Sequence, residues 1–96
     1  DYYYTEERNR FYYDDKGQKV EEVNCFYTKE EGGELILDYK HINKHEETVT
    51  YRKNKFDNKL LYYYDENGLK IKEEQYFGDS DKIYFLTEIE YEYHEN

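Results

Sequence analysis

The chain has 96 residues, of which 24 are acidic and 14 basic, so its formal net charge at pH 7 is −10. This length fits one domain, no apolar run approaches the length of a membrane span, and the charge argues against nucleic-acid binding, which needs a basic surface. Fifteen tyrosines and five phenylalanines, with no alanine, methionine or proline, favour strands over a helical bundle.

In chain order, the first predicted element is an aromatic strand that ends at a polar turn, and five further turn signals follow. Turn-forming residues cluster at positions 14–17, 31–34, 43–46, 57–58, 65–68 and 78–81. Six turns imply about seven strands, and such short connections favour antiparallel neighbours. We therefore predict one all-β domain over residues 1–96, an antiparallel meander arranged as a single sheet, a small sandwich or an open barrel.

The sequence repeats itself at an offset of 51 residues, with 11–26 aligned over 62–77. Seven of the sixteen aligned positions are identical, namely Tyr12, Tyr13, Asp14, Gly17, Lys19, Glu22 and Phe26. Each copy is an aromatic run, a polar turn ending in Gly and a charged strand, which predicts two related β-hairpins. In the second copy, Glu73 and Glu74 interrupt the alternation, which predicts a β-bulge or a strand bend there.

The last segment, residues 83–93, alternates most clearly between apolar and acidic positions. Its acidic positions are Glu88, Glu90 and Glu92. We predict a strand with one apolar and one acidic face. Three carboxylates on one face repel one another unless cations on a neighbouring strand compensate them, and we expect Lys70 and Lys72 to do so.

Valine, leucine, isoleucine and phenylalanine together are too few for a large core. Tyrosine rings can bury apolar area while their hydroxyls stay bonded, so we predict an ordered domain with a thin, tyrosine-covered core. The single Cys25 cannot form an internal disulfide. Stability therefore depends on a partner, on self-association or on further repeats.

No residue constellation predicts catalysis, a cofactor or a metal site. Cys25 lies in a predicted strand with no His beside it to activate the thiol, so we expect it to be unreactive. His41 and His45 are close in sequence and His94 is remote, and we expect solvated loop histidines rather than ligands. The acidic turn at 79–81 lacks the later oxygen ligands of a calcium loop. We therefore expect no enzyme.

Two sets of side chains are candidates for contact with a partner. The consecutive rings of Tyr62, Tyr63 and Tyr64 point to both faces of a strand, and tyrosine is favoured at interfaces. The carboxylates of Glu88, Glu90 and Glu92 would attract a basic protein. The structural alternatives are aromatic ladders between strands and a solvated acidic face compensated by lysines.

Bacterial Tyr-Asp (YD-type) repeat proteins contain units that the two hairpins resemble, with aromatic residues before a turn that ends in Gly17 or Gly68. The hairpins are also similar to the MORN-variant repeats of bacterial antitoxin-like proteins. The resemblance implies a non-enzymatic β-repeat scaffold of a bacterial surface or toxin-related protein. We expect a non-catalytic module that binds a protein or glycan through a tyrosine-rich, acidic sheet. The alternative is an acidic inhibitor that neutralises a basic enzyme such as a nuclease.

Overall fold

The computed structural model describes residues 3–93, and all regular structure in that range is β-strand. The seven strands are β1 (Tyr3–Tyr13), β2 (Lys19–Glu30), β3 (Ile36–Lys44), β4 (Glu47–Arg52), β5 (Lys55–Tyr64), β6 (Lys70–Phe77) and β7 (Phe85–Glu88). No helix in the described part of the chain is long and apolar enough to cross a membrane.

Each strand pairs antiparallel with the next strand in the chain, so the order in the sheet is β1 to β7. This confirms the predicted meander, and of the three arrangements left open the structure is the single, open sheet. Its edges are β1 and β7. The sheet measures 60 × 36 × 30 Å with a Cα radius of gyration of 17.5 Å, whereas a compact domain of this length has about 12–13 Å.

The β1–β2 and β5–β6 turns share one hydrogen-bond pattern. In each, an aspartate carboxylate accepts the backbone N–H groups two and four residues later at 2.9–3.0 Å; the residues are Asp14 with Lys16 and Gln18, and Asp65 with Asn67 and Leu69. Gly17 and Gly68 have φ angles of 80° and 83°. Side chains disfavour that left-handed conformation, so the aspartate and the glycine together specify the turn.

The prediction of a turn at 57–58 is wrong. The chain reverses at Lys53 and Asn54, which have φ angles of 51° and 66°, as two-residue hairpin turns require. Asp57 lies within β5, at a register shift of the β4–β5 pairing. Sequence reasoning missed the turn because it contains no glycine, although asparagine also tolerates the left-handed region.

The prediction of a β-bulge at Glu73 and Glu74 is also wrong. Both residues pair regularly with β5 and β7, and the register shift falls earlier in β6, at Ile71. Two consecutive glutamates fit a regular strand because each finds a partner on its own face. The Lys70 ammonium lies 2.5 Å from Glu73, and the Tyr63 hydroxyl donates to Glu74 at 2.6 Å.

The sheet has no apolar interior across the described residues. Only Thr50 and Glu74 are buried there, and no apolar side chain is. The accessible surface of 8015 Å² exceeds the roughly 6,000 Å² expected of a compact protein of this mass. The thin core expected from the sequence is replaced by half-buried side chains that cover one another across strands on both faces.

Candidate interaction surface

The two faces of the sheet differ in chemistry. Paired residues of neighbouring strands share a face, so the strand register divides the side chains into two sets. One side, the amide face, carries amide and hydroxyl groups from Asn9, Asn24, Asn43, Thr48 and Thr50. The other side, the lysine face, carries cations from Arg8, Arg10, Lys40, Lys59 and Lys72.

A ladder of hydrogen bonds crosses the amide face from β1 to β5. The Asn24 amide donates to Asn9 at 2.6 Å, and the Asn43 amide donates to Asn24 at 2.7 Å. The Thr48 hydroxyl donates to Asn43 at 3.1 Å and lies 2.7 Å from the Tyr62 hydroxyl. Because Thr48 has only one proton to donate, Tyr62 is the donor in the last bond, so all four bonds run in one direction.

The ladder uses the amide donors at its centre completely. Asn24 donates its second N–H to the Glu22 carboxylate at 3.0 Å, and Asn43 donates its second N–H to the Glu22 backbone carbonyl at 3.2 Å. An amide group has two donors, so Asn24 and Asn43 have none left for a ligand. The ladder therefore holds the strand register, since a one-residue slip would move its members to the opposite face.

His41 lies inside β3 on the amide face rather than in a loop, contrary to the expectation from the sequence. Its Nδ1 lies 2.9 Å from the Thr50 hydroxyl. Its ring stacks on Tyr39 with the centroids 6.2 Å apart and meets the edge of Phe26 at 5.6 Å. The imidazole thus belongs to the aromatic packing of the face.

The other candidate metal or nucleophilic residues are dispersed. His45 follows β3 and stacks on Tyr64 at 4.1 Å, and Cys25 is a half-buried free thiol in β2. His94 lies outside the described residues. Among residues 3–93, no three side chains of His, Cys, Asp or Glu are close enough to hold a metal ion.

On the lysine face, four cations lie over tyrosine rings of neighbouring strands. The distances to the ring centroids are 4.8 Å for Arg8 and Tyr27, 6.0 Å for Lys40 and Tyr51, 5.4 Å for Lys59 and Tyr76, and 4.3 Å for Lys72 and Tyr63. Each such pair contributes about 0.5–1 kcal/mol at an exposed site. The long cationic side chains thus cover rings that would otherwise face water.

Glu74 is the most enclosed charge among the described residues, with 9% of its surface exposed. Its carboxylate accepts hydrogen bonds from Tyr63 at 2.6 Å and Tyr76 at 3.1 Å, and Lys72 lies 3.7 Å away. The Tyr63 bond lowers the pKa of Glu74 more than burial raises it, and Tyr76 and Lys72 add to the lowering. The same bond raises the pKa of Tyr63.

The predicted tyrosine site does not form one surface. Tyr62 lies on the amide face and is bonded to Thr48, whereas Tyr63 lies on the lysine face and is bonded to Glu74. The Tyr64 hydroxyl donates to the backbone carbonyl of His45 at 2.6 Å. All three hydroxyls therefore make bonds within the sheet, and their use as a binding surface stays a prediction.

The predicted acidic face is only partly a strand face. Glu88 ends β7 and lies opposite Lys72, whereas Glu90 and Glu92 follow β7 and are exposed. The ammonium of Lys70 bonds Glu73 instead. The strand does not reach residue 93 because β6, its neighbour, begins at Lys70, only two residues before the Lys72 that pairs with Glu88.

Exposed apolar side chains precede these carboxylates in the chain. The exposed fractions are 71% for Tyr84, 60% for Phe85, 46% for Leu86 and 45% for Ile83. The Tyr84 ring meets the edge of the Phe77 ring at 4.6 Å. We call this region, residues 83–92 with Phe77, the β7 end. Sequence reasoning did not select residues 83–86, although four consecutive apolar residues on a strand necessarily expose apolar groups on both faces.

No family model, curated protein or solved structure matches this chain. The resemblance to YD-type and MORN-variant repeats therefore stays a prediction, and the function has to be inferred from the surfaces described above.

Proposed function

We propose that this chain is a non-catalytic interaction module whose β7 end binds a basic segment of a partner protein. The observation that carries the proposal is that exposed apolar side chains at 83–86 and then Glu88, Glu90 and Glu92 follow one another along one edge of the sheet. Exposed apolar surface of this kind supplies affinity, and the carboxylates select a cationic partner.

The dimensions of the sheet support a binding role. Its two longest extents are 60 and 36 Å. A sheet of these dimensions offers more area than the roughly 800 Å² that each partner contributes to a typical interface. Association at the β7 end would remove Phe85 and Leu86 from water, which is favourable in proportion to the apolar area covered.

A basic protein is favoured over a glycan because amide donors at the centre of the amide face are already hydrogen-bonded within the sheet. The amide face is the obvious place for sugar hydroxyls, but Asn24 and Asn43 have committed their donors within the ladder. A net charge of −10 would instead accelerate encounter with a cationic protein at low ionic strength.

The test is binding to poly-L-lysine, measured by isothermal titration calorimetry at low salt. A triple variant with Glu88, Glu90 and Glu92 changed to Gln is compared with a matched variant. In the matched variant, Glu30 at the end of β2 and Glu31 and Glu34 in the turn after it are changed to Gln. Both variants have a formal charge of −7 instead of −10, so they weaken long-range attraction equally.

We expect the first variant to bind roughly tenfold more weakly than the second, a difference of about 1.4 kcal/mol. Equal weakening in both variants would show that only the overall charge matters and would overturn the proposal. Salt-insensitive retention on a neutral glycan, without binding to poly-L-lysine, would also overturn it.

A further inference from the structure

The outer edge of β7 corresponds in register to the outer edge of β3, which β4 covers. Glu21 pairs with Lys44 between β2 and β3, and 51 residues after Glu21, Lys72 pairs with Glu88 between β6 and β7. In the same way, the pairing of Val23 with Ile42 corresponds to that of Glu74 with Leu86. Leu86 and Glu88 thus occupy in β7 the places of Ile42 and Lys44 in β3.

The outer side of β3 is covered and that of β7 is not. Strand β4 pairs along β3, with Val49 opposite Ile42. No strand among residues 3–93 pairs with the outer side of β7. An open edge presents a row of unpaired backbone donors and acceptors.

The backbone groups that face outward can be assigned from one bond. Ile89 donates its N–H to the Ile71 carbonyl of the β6 side at 2.9 Å. Backbone groups alternate in direction along an antiparallel strand, so Thr87 also faces β6, whereas Leu86 and Glu88 direct their N–H and C=O groups to the open side. The two residues available for backbone pairing are therefore the same two that match Ile42 and Lys44.

Strand β4 shows what chemistry such an edge accepts. It places an apolar β-branched residue, Val49, opposite Ile42. Following the same register to the end of β3 brings Glu47 opposite Lys44. At β7 the apolar position is kept as Leu86, but the charge is reversed from Lys44 to Glu88, so the complementary residue is a cation.

We propose that the open edge of β7 binds an extended, antiparallel segment of a partner protein, with Lys or Arg opposite Glu88 and a β-branched apolar residue opposite Leu86. This inference rests on the proposed function and adds to it the mode of recognition, strand addition. The added strand continues the sheet beyond β7. Its alternate side chains cover Leu86 on the lysine face and Phe85 on the amide face.

The probe is a synthetic octapeptide, Lys-Lys-Thr-Val-Thr-Tyr-Arg-Lys, which is the sequence of residues 46–53 with both glutamates replaced by lysine. Two derivatives have the same charge. One is N-methylated at Val and Tyr, whose N–H groups would bond β7, and the other at the two Thr residues, whose N–H groups would point away. Binding to the full chain is measured by NMR titration, together with amide exchange of Leu86 and Glu88.

We expect the parent peptide and the Thr-methylated peptide to bind and to protect both amides, and the Val/Tyr-methylated peptide to bind at least about tenfold more weakly, since it loses its backbone bonds. The variant Glu88→Lys should prefer the natural peptide with two glutamates by a similar factor. Circular dichroism establishes that this exposed substitution leaves the sheet folded.

Equal affinity of the two methylated peptides would overturn strand addition, whereas the proposed function is tested separately, by the two triple-glutamine variants and by retention on a neutral glycan. Concentration-dependent dimerisation of the chain alone, with protection of Leu86 and Glu88, would identify a second copy as the occupant and would also overturn the inference. Failure of the parent peptide to bind at millimolar concentration would do the same.

Discussion

The two hairpins β1–β2 and β5–β6 have the same local structure in different surroundings. Besides the shared turn, each places a lysine over an aromatic ring, Lys19 over Phe11 at 5.5 Å and Lys70 over Tyr62 at 4.9 Å. Each lysine also bonds the glutamate three residues later. The first hairpin ends the sheet at β1, whereas the second has β4 and β7 on its two sides.

The hairpins diverge in the residues that reach neighbouring strands. Asn24 anchors the amide ladder, and its counterpart Gln75 takes no part in it. Conversely, Glu74 collects the bonds of Tyr63, Tyr76 and Lys72, where the first hairpin has Val23. The turn residues thus specify a hairpin, and its position in the sheet determines which strand residues form further bonds.

The largest difference is expected for proline at matched positions of β1 and β5. Tyr62 donates its N–H to the Glu46 carbonyl at 2.9 Å, whereas the counterpart N–H of Phe11 points to the open edge. We expect Tyr62→Pro to cost about 3 kcal/mol more than Tyr62→Ala, and Phe11→Pro to lie within about 0.5 kcal/mol of Phe11→Ala. Urea unfolding followed by circular dichroism measures both differences, and equal values would contradict the assigned edge.

A second contrast between the two hairpins is the stability contributed by Asn24, which belongs to the amide ladder, and by its counterpart Gln75, which does not. Asn24→Ala removes three hydrogen bonds, among them the one that Asn9 accepts and one of the two that Asn43 donates, so we expect a loss of about 1–2 kcal/mol. The matched change Gln75→Ala should stay within about 0.5 kcal/mol. The same unfolding measurement applies, and similar losses in the two variants would refute a special role for the ladder.

The β1–β2 and β5–β6 turns, in contrast, should lose equal stability when their glycines are replaced. Gly17→Ala and Gly68→Ala each place a side chain in the left-handed region, and an added Cβ meets no atom within 4 Å at either site. The cost is therefore in the backbone alone, about 1 kcal/mol for each. D-alanine at the same positions, introduced by chemical ligation, should restore wild-type stability. Unequal L-alanine costs would show that the turns are not equivalent.

The smallest effect is a pH dependence that distinguishes Glu74 from its counterpart Val23. A lowered pKa means that the folded state prefers the carboxylate, so this contribution is complete above the ordinary glutamate pKa of about 4.3 and is lost as the pH falls further. We expect Glu74→Gln to reduce the acid-induced loss of stability below that pH. Urea midpoints between pH 3 and 7 test this, and parallel curves for the two proteins would contradict it.

The meander was predictable because turn chemistry is local. Asp14 and Gly17, and equally Asp65 and Gly68, act within four residues, so the sequence contains the whole cause. The turn at Lys53 and Asn54 was not predictable in this way, because no glycine marks it and the pairing of β4 with β5 determines where the chain reverses.

The candidate surface was only partly predictable. The acidic alternation of Glu88, Glu90 and Glu92 is visible in the sequence, but it does not reveal that β7 ends at Glu88 or that its outer side is open. Lys72 lies opposite Glu88 as expected, whereas Lys70 forms an ion pair with Glu73 instead. Both outcomes depend on register and on competition between nearby carboxylates, which single-residue patterns do not encode.

The absence of buried apolar side chains among the described residues has a calorimetric consequence. Unfolding of an open sheet uncovers less hydrocarbon than unfolding of a globular domain of equal length, so its heat-capacity increment falls below the usual ~12–15 cal/mol/K per residue. The free energy of unfolding then varies little with temperature near its maximum. Cold denaturation, which depends on that curvature, is displaced to lower temperature.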